Sequence, residues 1–286
     1  GASFNASVNK VVLAFEDYGN SSYGTAQVLQ VEGTNSSDFV GITNQAINNS
    51  ASGEVVVEGG VITNGSLLPA VVTPSVNGSQ IIHNTDLTYY TEMAYDTAND
   101  KLVLAYQDRG SSGSDTVGKA VVATISGDSI SLGTPVTFDS NIGAGHGICY
   151  DSNSGKIVIA YQDAGDSQKG KTLVGTVSGT SISFGSENTF LAQRSERVTC
   201  VFDSSVNKVL IVYRNQDNSN YGTAIAGTVS GTSMTFGSAV VWESTAADNF
   251  TGTYDTNQNA SIIAYTTTSN GNKVAKFTVA AVFICY

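Results

Sequence analysis

Proline is almost missing from this chain, with 3 in 286 residues, and charged residues make up only 13%. Turns must therefore be made by the 30 glycines and by Asn, Asp and Ser. The surface must be mostly Ser, Thr, Asn and Gly, which fits an extracellular or virion surface better than a cytosolic enzyme. Three cysteines do not make a disulfide framework. No run of 18 apolar residues occurs, so no membrane insertion is expected. Bases are short too: 13 against 24 acids give a net charge of −11, which repels nucleic-acid phosphates and anionic membranes. There is no HExxH, no CxxC, no Walker loop and no Ser-His-Asp order, so neither a metal nor a cofactor is expected.

A repeated phrase is present instead. It reads YDSNSGKIVIAYQDAGDSQKGKTLVGTVSGTSISFG at 150–185 and returns at 202–237 and 95–133. Tyr95, Tyr150, Phe202 and Tyr254 hold one position of it, at spacings of 55, 52 and 52 residues. The N-terminal stretch 4–34 aligns with 202–232, one period plus roughly 39 residues before Tyr95. Five units follow, with an insertion at 38–87 after the first, which could equally be a diverged sixth unit.

Each unit reads as four short strands. In the copy at 195–244, SERVTCVFD precedes an SSVNK turn. VLIVYR is a continuous apolar run, as expected of a strand covered on both faces. TAIAGTV leads to a hairpin turn at Ser230-Gly231, repeated at Ser126-Gly127 and Ser178-Gly179. The fold class expected is all-β: tandem four-stranded antiparallel repeats in one domain over 1–286, β-propeller-like with about five blades, a linear stack of meanders being the competing solution. Val103, Leu104, Ile157, Ile159, Leu210 and Val212 are the expected core. The chain starts at GASF without Met, and its last unit stops without the SGTSxxFG hairpin. That fits a processed or partial segment and self-association through unmated ends, burying Val282, Phe283 and Ile284.

The insertion carries Phe39, Gly41, Ile42, Ala46, Ile47, Ala51, Gly53, Val55, Val57, Gly59 and Gly60 in the phrase F-x-G-I-x-x-x-A-I-x-x-x-A-x-G-x-V-x-V-x-G-G. This resembles a segment of bacteriophage tail-fibre and other phage structural proteins. The repeats are similar to those of virion proteins of marine phages and algal viruses. The resemblance implies a virion fibre or tail component, partnered by copies of itself or neighbouring subunits.

Cys149 and Cys200 lie in the first strands of adjacent units, one position out of register, and read as buried free thiols; a bridge would need alternate faces to meet. His83 and His146 do not repeat and read as structural. Sequons stand at Asn5, Asn20, Asn35, Asn48, Asn64, Asn77, Asn249 and Asn259, and matter only in a secreted eukaryotic chain.

The second strands end alike, at Asp17, at Gln107-Asp108, at Gln162-Asp163 and at Asn215. The turn reading has Asp capping its own backbone before a Gly. The functional reading is a ring of carboxylates and amides, with Tyr23 and Tyr221, that hydrogen-bonds sugar hydroxyls or holds Ca²⁺, although an Asp-x-Gly triple alone is too short for a calcium loop. Residues recurring by symmetry do not suit the two unequal acids of a glycosidase. Together with what the resemblance implies, the expectation is a non-enzymatic extracellular or virion fibre protein, with host-surface attachment as its role. The alternatives are a lectin-like glycan-binding propeller and, third, a glycoside hydrolase.

Overall fold

The computed structural model describes the backbone of residues 2–5, 10–17, 23–30, 56–57, 60–61, 80–269 and 271–279, with side chains from residue 80 onward. Among these residues every regular element is a strand. In the first unit β1 (Ala2–Asn5), β2 (Lys10–Asp17) and β3 (Tyr23–Gln30) pair antiparallel in order. β4 (Val56–Val57) and β5 (Gly60–Val61) form a separate small ladder. β6 (Ile81–Asp96) then does two jobs: its first part pairs with β3, and its second with β7 (Lys101–Asp108). Residues 81–87 of the expected insertion thus belong to the first unit's sheet.

The second unit continues with β8 (Val117–Ser126), flanked by β9 (Ser129–Leu132) and β10 (Val136–Asp139). The third has β11 (Ile142–Asp151), β12 (Lys156–Asp163), β13 (Lys169–Ser178) and β14 (Ser181–Phe184). β15 (Asn188–Asp203) is shared as β6 is, passing from β13 to β16 (Lys208–Asn215). β17 (Tyr221–Ser230), β18 (Ser233–Phe236) and β19 (Val240–Asp255) follow, the last passing to β20 (Ala260–Thr267) and β21 (Gly271–Phe277).

The turns follow from local chemistry. Asp151 Oδ1 accepts hydrogen bonds from the backbone of Asn153 and Ser154, at 2.9 and 3.1 Å. Asp96 and Asp255 close the equivalent turns in the same way. The hairpins sit one residue later than expected: Ser230 pairs with Ser233, so Gly231-Thr232 is the two-residue loop, with Gly231 at φ 62°.

The apolar runs of β12 and β16 are continuous because their sheets are covered on both faces. Along β12, Ile157, Ile159 and Tyr161 enter the layer shared with the second unit, and Val158 and Ala160 the layer shared with the fourth. Along β16, Val209, Ile211 and Tyr213 face back, and Leu210 and Val212 forward. All six expected core residues are buried. Burial of each such side chain favours folding by roughly 1.5–3 kcal/mol. The inner strands stack side by side, β6 on β11, β11 on β15 and β15 on β19. The architecture is all-β and β-propeller-like.

Candidate functional site

The inner strands share an irregularity. Register breaks between Tyr89 and Glu92, Ile142 and His146, Glu196 and Thr199, and Asp248 and Thr251. At each bulge one residue takes a left-handed conformation: Tyr90 (φ 51°), Gly145 (83°), Arg197 (53°) and Asn249 (52°). That conformation costs a non-glycine residue about 1–2 kcal/mol, and such strain gathers at functional sites. Gly145 is needed for closeness as well, since a Cβ there would lie 3.2 Å from Arg197 Cα.

The four bulges converge on one cleft of about 130 Å³, completed by Glu92, His146, Val198 and Phe250. Its polar wall is cross-linked. Arg197 Nη1 donates to the Tyr90 hydroxyl at 3.2 Å, and its Nε faces Asp248 Oδ1 at 3.0 Å. Arg214 Nη1 donates to the other Asp248 oxygen at 3.0 Å, and Nη2 pairs with Glu196. Glu92 lines the cleft and is exposed to solvent. The loss of surrounding water raises its carboxyl pKa above the ordinary value. His146 is buried beneath, and burial lowers its pKa to about 4, which leaves the ring neutral at pH 7. A larger hollow of about 380 Å³ lies on the β20–β21 face, but its lining holds no carboxylate.

A second acidic group lies between units two and three. Carboxylate oxygens of Asp139, Asp163 and Glu187 come within 4.8 Å of one another. Burial, and then the charges of Asp163 and Glu187, raise the Asp139 pKa. These acids could ligate a hard cation, but Lys171, 3.6 Å from Glu187 and 2.9 Å from Asp166, already supplies positive charge there.

The residues singled out from the repeat lie at the same end of the sheets, turned into the interfaces. Gln107 Nε2 donates to the Ile142 carbonyl at 2.9 Å, and Gln162 Nε2 to that of Ser195, so each amide ties its unit to the next. Asp108 is buried and bound by Lys119, the Gly110 amide and Asn84. Burial alone would raise its pKa, but these three partners hold it below the usual range. Asp163 accepts from the Asp166 amide at 2.9 Å, closing its loop. Asn215 is buried and donates to Gln193. Tyr221 is half-buried at the start of β17. Asp17 and Tyr23 pair with each other between β2 and β3, and their side chains lie outside the described residues. So do the sequons at Asn20, Asn35, Asn48, Asn64 and Asn77, and Val282, Phe283 and Ile284. Asn249 and Asn259 are exposed. Reasoning from the repeat missed Tyr90, Glu92, Arg197 and Asp248, because they break its pattern; the one sign was that these positions vary while their neighbours recur.

No family model matches the chain, and no curated protein matches it. Its structure is similar to the solved structure of an exo-beta-1,3-galactanase from Phanerochaete chrysosporium in complex with beta-1,3-galactotriose. Identity is 8% and the TM-score 0.42, over 67% of this chain and 51% of that one. The chain thus spans about half the length of that enzyme. The expectation of a non-enzymatic fibre protein is corrected here: the matched structure is that of a glycoside hydrolase, an enzyme. At that identity and score the match assigns no residue a role.

Proposed function

We propose that the protein is a glycoside hydrolase whose bulge cleft seats a sugar unit. The observation that carries this reading is that Glu92 and Arg197 line one cleft, with the Asp248 carboxylate held behind that lining by Arg197 and Arg214. Cleavage of a glycosidic bond needs two acids in unequal environments: one protonated to donate to the leaving oxygen, one ionised to support charge at the anomeric carbon or to activate water. Glu92 takes the first role and Asp248 the second, oriented by Arg197 and Arg214. The Tyr90 hydroxyl and the Asn249 amide are suited to sugar hydroxyls, and Phe250 offers an apolar patch to a ring face. A carbohydrate-degrading role fits an extracellular location, in keeping with the low charge.

The test is release of reducing ends from a panel of polysaccharides and oligosaccharides, β-1,3-galactotriose among them, by wild type and by Glu92→Gln. Release by wild type that falls at least 100-fold in the variant is expected. Sugar binding with no release would overturn hydrolysis and leave a binding protein. Release undiminished by Glu92→Gln would overturn the assignment of the acid.

A further inference from the structure

We infer that Cys149 and Cys200 are a disulfide pair that locks the third unit to the fourth. The two thiols are free in the structure, and both are buried in the single apolar layer between these units. Their one-residue offset in the repeat is what brings them together. Asp151 and Asp203 hold one position of the motif, so Cys149 stands two residues before it and Cys200 three. A shift of one residue turns a strand side chain to the opposite face. Consecutive sheets meet by opposite faces, so residues of unlike parity on β11 and β15 face each other, while residues of like parity do not.

The strands are also close. Gly147, on β11, leaves so little room that a Cβ would lie 2.5 Å from the Cys200 nitrogen and 2.6 Å from Thr199 Cα. The Cys149 thiol is in hydrogen-bonding contact with that of Cys200, which in turn points at the Val158 carbonyl, 3.9 Å away. The bond to Cys200, and then burial, raise the Cys149 pKa well above its ordinary value. The thiol stays protonated in the closed fold, so oxidation proceeds during folding or local opening.

The oxidant is a small disulfide, such as oxidised glutathione. One cysteine thiolate attacks it, forming a mixed disulfide and releasing one reduced thiol. The second cysteine thiolate then attacks the protein-bound sulfur, releasing the other reduced thiol. Two protein thiols lose their protons, one sulfur–sulfur bond forms and one breaks. This inference is independent of the glycosidase reading.

The experiment is oxidative refolding of the full chain in a glutathione redox series, with non-reducing peptide mapping and thermal unfolding. A Cys149–Cys200 linked peptide is expected, with an unfolding midpoint roughly 5–10 °C higher than after reduction. Cys285→Ser should retain both. Cys149→Ala and Cys200→Ala should each lose the linked peptide and the response to reductant. Should either variant fail to fold, wild-type mapping still decides. Alkylation of both cysteines after oxidative refolding, or a link from either one to Cys285, would overturn the pairing.

Discussion

Arg197 and Tyr90 stand 107 residues apart in the chain, yet the Arg197 guanidinium donates to the Tyr90 hydroxyl at 3.2 Å. Both occupy the left-handed position of an inner-strand bulge, one in the second unit and one in the fourth. Between them the third unit has Gly145, whose missing side chain lets the Arg197 backbone approach. The contact exists because equivalent bulges converge, and because each unit furnishes a different side chain at the same place.

Arg197→Ala and Arg197→Gly should both lose sugar binding or cleavage by tenfold or more, since each removes the group that fixes Tyr90 and Asp248. They should differ in stability. Alanine keeps the left-handed strain and glycine relieves it, so the glycine variant should be the more stable by about 1 kcal/mol in urea unfolding. Equal stability would show that the bulge is not strained.

Glu92→Gln should change the pH dependence of stability. The folded-state pKa of Glu92 lies above its ordinary value of 4.5. Stability associated with its protonated form is complete below the unfolded value and is lost as pH rises through the folded one. Wild type should therefore lose stability over that window relative to Glu92→Gln. Any cleavage that depends on the protonated carboxyl should decline over the same range. Matching stability profiles in the two proteins would refute the raised pKa.

Gln162→Ala should destabilise by about 1–3 kcal/mol, because it removes an inter-unit hydrogen bond and leaves the buried Ser195 carbonyl unpaired. Gln107→Ala should behave alike through Ile142. Neither should alter the affinity for sugar, measured by calorimetry. A loss of affinity at unchanged stability would return these amides to the binding surface.

Glu243 gives the opposite sign from Glu92. Lys273, 2.8 Å away, and then Thr245 hold its pKa down to about 2, against burial, which raises it. Its contribution to stability is present above the unfolded value of 4.5 and is lost as pH falls towards about 2. Glu243→Gln should flatten acid unfolding in that window. An unchanged acid limb would contradict the ion pair.

Much of the fold is legible in the residues. Runs such as KIVIAYQD call for a strand with both faces covered, and Asp151 and Gly231 announce their turns. What the repeat concealed is that one strand serves two units: nothing in NTFLAQRSERVTCVFD says that Arg194 pairs with β13 and Ser195 with β16. The candidate site was the least legible part. Gln107 and Gln162 recur because two successive interfaces are tied in the same way, whereas Glu92, Arg197 and Asp248 are each used once.

The sequence by itself determined the unit, its turns and its two apolar faces, because these depend on alternation and turn chemistry within about ten residues. Only the tertiary structure decided which side chains meet where the inner strands converge. Those contacts join residues more than 50 positions apart, as Arg197 does with Tyr90 and with Asp248. Their geometry depends on how successive sheets pack, which no local pattern encodes.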